Sequence, residues 1–373
     1  MTVTLALHGL DRLIRLRQRW SRLFVGAPEG PADDGRLNEI ADFGENPGAL
    51  RMLVHVPAAL RPGAPLVVAL HGCTQTAAGY DRGCGWSAMA DRLGFALLLP
   101  EQRSENNPKR CFNWFAPDDT RRDSGEAASI RQMVDHMLRE HRLDPHRVFV
   151  TGLSAGGGMS SALLACYPEV FAAGAILAGL PHGAAASVPQ AFEAMFQPKI
   201  LSAEERAAPV RAASGHAGPW PRISVWQGAA DRTVAPANAD EILKQWLALH
   251  GQDLERPAGS ATADGVTHRL WLAPDGRRLV EAYSIDSLAH GVPLHPPGEA
   301  QEHEGRIGEA GPYMLDVGLS STHAILDFWG LAPAPQRAFV VSRGGEAREV
   351  TERPSLAARL LRKARRLAGL GSD

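Results

Sequence analysis

A short apolar segment that runs directly into a glycine-flanked serine constrains this chain more than any other feature. Residues 148–157 read Val-Phe-Val-Thr-Gly-Leu-Ser-Ala-Gly-Gly, and a helix-forming stretch begins at Ala155. This order predicts a strand, a Gly-x-Ser-x-Gly turn with Ser154 at its tip, and then a helix, which is the layout of a nucleophile elbow. Gly152 and Gly156 leave room for so tight a turn because neither carries a Cβ atom.

The composition allows one large folded domain and excludes several protein classes. With 373 residues and 45% hydrophobic content, the chain can bury an extensive core. No segment approaches the roughly 18 consecutive apolar residues of a membrane span. The N-terminal residues lack the basic start and the small-residue cleavage site of a secretory signal, so a cytoplasmic location is expected.

The 4 cysteines are too few for a disulfide scaffold in a chain of this length, and no Cys-x-x-Cys pair indicates zinc. Cys166 follows the elbow on its predicted helix and is expected to lie in the core. Cys73, Cys84 and Cys111 lie in predicted loops around the elbow, which leaves room for one bridge among them.

The charge is unevenly distributed along the chain. Residues 1–23 hold five arginines and one aspartate, and residues 354–373 hold four arginines, one lysine and one aspartate. Since the net charge is −2, the stretch between these ends carries −10. Leucines spaced among the arginines predict a basic amphipathic helix in 5–23 and another in 355–367. Such helices either adsorb to an anionic membrane or a lipid-coated polymer granule, or bury their leucines against the body or a second subunit.

Strand and helix signals alternate through the middle of the chain. The predicted strands are Arg51–Val56, Leu66–Leu70, Phe95–Leu99, Arg147–Thr151, Gly174–Leu177, Ile223–Gln227, His268–Leu272 and Leu279–Ile285. The predicted helices are Trp86–Arg92, Glu126–His141, Ala155–Cys166, Asn238–His250 and Ser321–Trp329. This alternation predicts an α/β fold with a mostly parallel central sheet and helices on both faces. The predicted units are an N-terminal helix in 1–25, a linker in 26–44, a catalytic domain in 45–335 with a small cap insertion at 184–219, and a tail in 336–373.

The serine needs a base and the base needs an orienting carboxylate, and each role has a candidate directly after a predicted strand. The strand Ile223–Gln227 leads into Asp231, and the strand that ends at Ile285 leads into His290. Loops at the carboxyl ends of parallel strands meet at one edge of an open sheet, where ligand-handling residues lie. The order Ser154, Asp231, His290 is also the chain order of the triad in α/β-hydrolases.

Other candidates for the base and the carboxylate are weaker. Asp286 lies four residues before His290 on the same loop and is poorly placed to orient it. His323 begins a helix that is expected to pack against the sheet. Three further histidines are alternative candidates for the base, although none follows a predicted strand: His182, His216 and His295.

An oxyanion hole needs two backbone amides close to the serine. One is the amide of Ala155, directly after Ser154, and the other is expected from the loop after an earlier strand. The strand Leu66–Leu70 ends in His-Gly-Cys-Thr-Gln, so the Cys73 amide is the natural second donor.

Three aromatic residues near Cys111 offer an apolar surface for an acyl chain or a polyester segment. Phe112 and Phe115 are expected to lie in the core, whereas Trp114 is predicted to form a wall of the substrate pocket. Gln75, in the loop of the second oxyanion donor, is the other predicted substrate-binding residue.

Five motifs occur in order along the chain. They are His71-Gly-Cys-Thr-Gln-Thr-Ala, Gly85-Trp-Ser-Ala-Met-Ala-Asp-Arg-Leu-Gly-Phe, Cys111-Phe-Asn-Trp-Phe, Ser129-Ile-Arg-Gln-Met-Val and Gly152-Leu-Ser-Ala-Gly-Gly. Together they resemble the polyhydroxybutyrate (PHB) depolymerase family of esterases over residues 45–335. The resemblance implies an α/β-hydrolase fold, hydrolysis of carboxylic esters, and a triad at Ser154, Asp231 and His290.

That family is broad and includes feruloyl and acetylxylan esterases, so the resemblance specifies the reaction better than the substrate. The function we predict is a serine esterase acting on poly- or oligo-3-hydroxybutyrate. The alternatives are a carbohydrate esterase that removes feruloyl or acetyl groups, and a non-catalytic granule-associated protein with the same fold. Many relatives are secreted and some carry a polymer-binding domain, and neither a signal nor such a domain is recognised in this sequence.

The resemblance also has implications for the cysteines, the cofactors and the partners. It suggests that Cys73 and Cys111 lie near each other beside the site, where a bridge would stiffen the oxyanion loop, although a reducing cytoplasm favours free thiols. No metal or cofactor is expected, and Glu302-His303-Glu304 fits a solvated loop better than a ligand set. The expected partner is an ester substrate rather than a nucleic acid, and the oligomeric state is left open.

Overall fold

The computed structural model covers the predicted catalytic core. The described residues are 35–296 and 307–332, together with the backbone of the strands Phe339–Val341 and Ala347–Glu349. The basic helices predicted in 5–23 and 355–367, and the run Glu302-His303-Glu304, lie outside the described residues. Within the described part of the chain, no helix has the length and apolar character needed to cross a lipid bilayer.

A ten-stranded sheet forms the centre of the fold. Its strands are β1 (Asn38–Ile40), β2 (Arg51–His55), β3 (Leu66–Leu70), β4 (Ala96–Glu101), β5 (Val148–Leu153), β6 (Ala173–Leu177), β7 (Arg222–Gly228), β8 (Gly259–Ala263), β9 (Val266–Leu272) and β10 (Arg278–Ile285). The order across the sheet is β1-β2-β4-β3-β5-β6-β7-β10-β9-β8. The strands from β4 to β10 in that order pair in parallel, whereas β1, β2, β9 and β8 pair antiparallel at the two edges.

Helices cover both faces of this sheet. They are α1 (Ala77–Cys84), α2 (Trp86–Leu93), α3 (Pro117–Thr120), α4 (Gly125–Glu140), α5 (Ala155–Cys166), α6 (Val188–Phe196), α7 (Ala203–Ser214), α8 (Ala237–Leu249) and α9 (Ser321–Trp329). Successive residues of β3 alternate between two buried apolar clusters, because side chains of a strand point to opposite faces. Leu66 and Val68 share one cluster with α4, α5 and α8, and Val67 and Ala69 share the other with α1, α2 and α9.

Two short strand pairs complete the described secondary structure. The strands β11 (Val292–Leu294) and β12 (Met314–Asp316) pair in parallel. The strands β13 (Phe339–Val341) and β14 (Ala347–Glu349) pair antiparallel. The first pair follows the loop of His290 and brings the chain segment around residue 313 next to that loop.

The predicted alternation of strands and helices is confirmed, and each predicted element ends within two residues of its observed bounds. The expected linker in 26–44 differs, since it contains the strand β1. This strand was not predicted because its residues are mostly exposed at the sheet edge and show no apolar alternation. The edge strand β8, Gly-Ser-Ala-Thr-Ala, lacks an apolar run for the same reason.

The segment 184–219, predicted as a cap, contains the helices α6 and α7 and no strand. A buried ion pair fixes it to the body: Arg206 Nε of α7 lies 2.6 Å from Glu241 Oε2 of α8. The other Glu241 oxygen accepts from Lys244 Nζ at 2.6 Å, and Gln245 Nε2 donates to the Arg206 carbonyl at 2.7 Å. Because Glu241 is fully buried, pulling the cap away would break a buried ion pair and leave Lys244 as its charged partner. The cap is therefore anchored to α8 through buried polar contacts of α7.

Candidate active site

Ser154 stands at the tip of the predicted elbow, between β5 and α5. Its backbone has φ 57° and ψ −114°, a conformation that side-chain-bearing residues rarely adopt. The turn is held by the Ser154 amide, which donates to the Leu177 carbonyl at 2.9 Å. A Cβ atom on Gly152 would collide with the backbone of Gly156, and one on Gly156 would collide with the Leu70 carbonyl. The two glycines are thus required by close backbone approach, as the motif predicted.

Asp231 and His290 meet in the loops that follow β7 and β10. His290 Nδ1 and Asp231 Oδ2 are 2.7 Å apart, and both side chains are buried. The other oxygen of Asp231 accepts from the backbone amides of Thr233 and Val234, and Oδ2 also accepts from Gln227 Nε2. Hydrogen-bond donors therefore hold both oxygens of this carboxylate in place.

The Asp231 contact sets the tautomer of His290. A carboxylate oxygen accepts, so Nδ1 carries the proton and Nε2 of the neutral ring is left with a free lone pair. His290 lines the same small pocket as Ser154, together with Gly72, Cys73, Gln75, Leu153 and Tyr313. A ring oriented in this way can take a proton from a group in that pocket.

The loop after β3 is held at both backbone groups of Gly72. His71 Nδ1 donates to the Gly72 carbonyl at 2.7 Å, because His71 Nε2 accepts the Gln102 amide at 3.1 Å. The Gly72 amide donates to Gln75 Oε1 at 2.8 Å. Since carbonyl and N–H point in opposite directions across a trans peptide, fixing the Gly72 carbonyl also fixes the Cys73 amide. Burial lowers the pKa of His71, so its ring stays neutral in this role.

The two predicted oxyanion donors have their amides available. Within the described part of the chain, neither the Cys73 nor the Ala155 amide donates to a protein acceptor, as expected for Ala155 in the first turn of α5. A disulfide joins Cys73 to Cys111, the pair that the resemblance suggested. Cys84 and Cys166 are buried free thiols, as the core position predicted for Cys166 requires.

The two predicted substrate-binding residues have different positions. Gln75 lines the pocket beside Ser154 while it holds the Gly72 amide. Trp114 is 8% exposed, packs on Gly158 of α5 and is not among the described residues that line this pocket. Phe112 is fully buried as expected, whereas Phe115 is half-buried, which differs from the core position predicted for it. The assignment of Gln75 and Trp114 to substrate binding stays a prediction.

The weaker candidates for base and carboxylate lie elsewhere. Asp286 is exposed at the end of β10. His216 Nε2 binds the Pro219 carbonyl within the cap, and burial lowers the pKa of His182 to about 4. Among the described residues that line the pocket with Ser154, the histidine is His290.

Three residues of the site were not predicted from the sequence. Tyr313 lies edge-on to the His290 ring, with 6.1 Å between ring centroids, and lines the pocket. Gln102 and Glu126 form a buried polar pair behind the loop of Cys73. Glu126 could have been noticed as a glutamate in the first turn of its helix. Such a glutamate, however, usually indicates only a charge that interacts with the helix dipole.

Comparison with known proteins agrees with this geometry. The family described as esterase PHB depolymerase matches residues 50–267. Poly(3-hydroxyalkanoate) depolymerase C of Paucimonas lemoignei is 45% identical over 296 residues, which are 79% of this chain and 70% of that protein. An acetylxylan esterase of Coprinopsis cinerea is 34% identical over 280 residues, 72% of this chain and 71% of that protein. The structure of an acetyl xylan esterase from Aspergillus awamori superposes with a TM-score of 0.67 at 24% identity, covering 79% of this chain and 99% of that one, and confirms the α/β-hydrolase fold.

Proposed function

Because this chain belongs to the PHB depolymerase family of esterases, we propose that it hydrolyses the ester bonds of 3-hydroxyalkanoate polymers or oligomers with a Ser154–His290–Asp231 triad. The chain is a carboxylic ester hydrolase by its family. The observation that supports the triad is the buried 2.7 Å contact between His290 Nδ1 and Asp231 Oδ2 at the pocket of a strained Ser154.

The reaction is a two-step acyl transfer. His290 Nε2 takes the Ser154 hydroxyl proton as Oγ attacks the ester carbonyl, and Asp231 holds the imidazolium. When the tetrahedral intermediate collapses, the leaving alkoxide receives that proton and departs as a hydroxy compound. A water molecule then loses a proton to His290 and attacks the acyl-enzyme. The second intermediate collapses to a carboxylic acid, and the Ser154 hydroxyl regains its proton.

The charge that develops on the carbonyl oxygen is stabilised by the amides of Cys73 and Ala155. Such donors act in the transition state, and removing one from a comparable site costs about 10²- to 10³-fold in kcat. The amide of Cys73 comes from the loop fixed by His71 and Gln75, and that of Ala155 from the first turn of α5. Both donors are backbone groups on rigid elements, so they need no rearrangement when the charge appears.

The shape of the site favours a substrate that lies mainly outside the pocket. The cavity beside Ser154 has a volume of about 10 Å³, far below the roughly 300 Å³ at which small-molecule pockets begin. Two apolar side chains of the cap are exposed, Val188 by 51% in α6 and Ile200 by 67% four residues after that helix ends. Other apolar residues of α6 pack in one cluster with Cys73 and Ala155. An extended ester such as a polyester segment, which need not enter the cavity as a whole, suits a pocket this small.

A carbohydrate esterase that removes acetyl or feruloyl groups is the second candidate. Relatives named acetylxylan esterase and feruloyl esterase B, the latter from Thermothelomyces thermophilus, are each 34% identical to this chain. Their lower identity, against 45% for the depolymerase, favours the hydroxyalkanoate substrate.

Hydrolysis of a substrate panel by wild type and Ser154→Ala tests this proposal. The panel contains 3-hydroxybutyrate oligomers, amorphous polyhydroxybutyrate, acetylated xylan, methyl ferulate and p-nitrophenyl butyrate. We expect turnover of the hydroxybutyrate substrates that falls by about 10⁶-fold, or to background, in the variant. Turnover of ferulate or acetylxylan alone would transfer the assignment to the carbohydrate esterases. No Ser154-dependent turnover of any substrate would support a non-catalytic granule-associated protein.

The basic ends of the chain allow one further contact of this enzyme. The arginine-rich segments 1–25 and 354–373, predicted from sequence to contain amphipathic helices, suit an anionic granule or membrane surface, and equally suit packing against the acidic body or a second subunit. Deleting both segments separates these roles. Lost sedimentation with polymer granules or anionic liposomes would support adsorption, and unchanged sedimentation would exclude it.

A further inference from the structure

A carboxyl group that the reaction does not use lies buried behind the loop of Cys73. Glu126 is the second residue of α4 and only 1% exposed. Its Oε1 accepts from Gln102 Nε2 at 2.5 Å, and its Oε2 accepts from the Asn113 amide at 2.9 Å. Within the described part of the chain, no arginine, lysine or histidine pairs with it. All its donors are neutral amides.

Keeping such a group is costly. Burial and the nearby Asp119 carboxyl raise the pKa of Glu126 to about 8, which reflects the cost of placing its charge there. A glutamine of the same shape would avoid that cost. A carboxyl, however, keeps acceptor lone pairs on both oxygens whether it is ionised or protonated, whereas an amide has only one oxygen. Glu126 uses one oxygen for Gln102 and the other for Asn113. Glu126 therefore supplies two acceptor oxygens at one position.

The first connection from Glu126 to the oxyanion loop runs through the chain around Cys111. The Asn113 amide binds Glu126, and the Cys111 carbonyl accepts from Gln102 Nε2 at 3.1 Å. Cys111 is in turn bonded to Cys73 by the disulfide. The position of the 111–113 segment is therefore passed covalently to the residue whose amide faces the oxyanion.

The second connection runs through Gln102 and His71. The Gln102 side chain is held by Glu126, and its backbone amide donates to His71 Nε2. This bond fixes the ring so that Nδ1 donates to the Gly72 carbonyl. Both connections end on the same peptide bond, between Gly72 and Cys73.

We propose that Glu126 is a positioning residue for catalysis: it holds the Gly72–Cys73 peptide in the orientation in which the Cys73 amide binds the oxyanion. This inference rests on the proposed function, since it takes the Cys73 amide as an oxyanion donor. Glu126 touches neither substrate nor reacting atoms. Its effect falls on the transition state, where the oxyanion exists, rather than on binding of the neutral ester.

Glu126→Gln tests the proposal because it keeps the shape and removes one of the two acceptors. With p-nitrophenyl butyrate we expect kcat to fall about tenfold while KM stays within twofold, the pattern of an interaction lost only in the transition state. Glu140→Gln, at the exposed end of the same helix, is the matched control and keeps wild-type kcat. An unchanged kcat in Glu126→Gln, or a raised KM at unchanged kcat, would overturn the proposal.

Gln102→Met provides an independent test, since it removes the amide that links Glu126 to Cys111. We expect a similar fall in kcat, and a double variant no slower than the slower single variant, because both act through one network. Fully multiplicative effects would show that the two residues act separately and would refute the inference. Should Glu126→Gln fail to fold, Gln102→Met alone decides, by a fall in kcat or its absence.

Ser154→Ala in the same assay keeps this inference distinct from the proposed function. If turnover survives Ser154→Ala, the triad is wrong and the positioning role falls with it. If turnover needs Ser154 but ignores Glu126 and Gln102, the triad stands and only the positioning role is wrong.

Discussion

The two halves of the site are built in different ways. The oxyanion half, residues 71–75, 111–113 and 153–155, presents backbone amides, and its support comes from a disulfide and a buried pair far away in sequence. The proton-transfer half, residues 227–234 with His290, presents side chains, and the donors that hold its carboxylate lie within a few residues of it. A backbone N–H has no side-chain rotamer, so its direction is set only by the conformation of the whole loop. The direction of a side chain can be set by contacts with its near neighbours in sequence.

The largest expected effect comes from a substitution that changes the proton-transfer half alone. Asp231→Asn should lower kcat by about 10⁴-fold with the fold retained, because an amide facing Nδ1 favours the tautomer in which Nε2 already carries a proton. Steady-state kinetics and circular dichroism would measure both properties. Asp286→Asn, an exposed carboxylate on the loop of His290, is the control and should change kcat less than twofold. A loss below tenfold in Asp231→Asn would show that the proton-transfer half is not organised around this contact.

The next effect probes the covalent support of the oxyanion half. Replacing Cys73 and Cys111 together by alanine should lower the free energy of unfolding by roughly 4 kcal/mol, since the bridge closes a loop of 38 residues. Urea denaturation measures this loss. Cys84→Ala removes a buried thiol outside the bridge and should cost about 1 kcal/mol.

The same disulfide is related to the compartment in which the protein acts. A cytoplasmic location was expected from the sequence, and there thiols are kept reduced. Alkylation and mass spectrometry of unreduced protein should find Cys73 protected. An alkylated Cys73 in protein from an oxidising compartment would contradict the bridge and remove the covalent half of the support.

The smallest effect probes the buried carboxyl through pH. Because the pKa of Glu126 is raised in the folded state to about 8 from 4.5, the folded protein binds more protons than the unfolded chain between these values. Its contribution to stability is therefore full below about pH 4.5 and is lost as pH rises towards 8. We expect wild type to lose roughly 3 kcal/mol more than Glu126→Gln between pH 5 and 8.5 in urea titrations. If the free energies of unfolding of the two proteins change in parallel with pH, ionisation of Glu126 does not destabilise the folded state.

The same contrast explains what the sequence could predict. Ser154, Asp231 and His290 each follow a strand that has a strong apolar signal, and their order in the chain matches a known arrangement. The role of the elbow glycines could also be predicted, since a Cβ atom at either position would collide with nearby backbone. Local signals of this kind suffice to find side chains that stand at the end of a strand.

The supporting residues carry no such signal. Gln102 and Glu126 meet across 24 positions because β4 and α4 pack together, and nothing in either segment indicates the other. Tyr313 reaches the pocket only through the pairing of β11 with β12. The exposed strand β1 was missed because its pairing is set by its neighbour rather than by its own pattern. Trp114 follows Cys111 closely in sequence and its ring packs against Gly158 of α5, and its role in substrate binding stays a prediction.

The anchored cap has a consequence for how the enzyme meets its substrate. A buried ion pair ties α7 to α8, so we expect α7 to stay in place during turnover. The mouth of the pocket would then stay accessible at the protein surface throughout the catalytic cycle. For an insoluble ester, turnover would be governed by how many enzyme molecules the solid surface accommodates, and the rate would saturate with added enzyme rather than with added substrate.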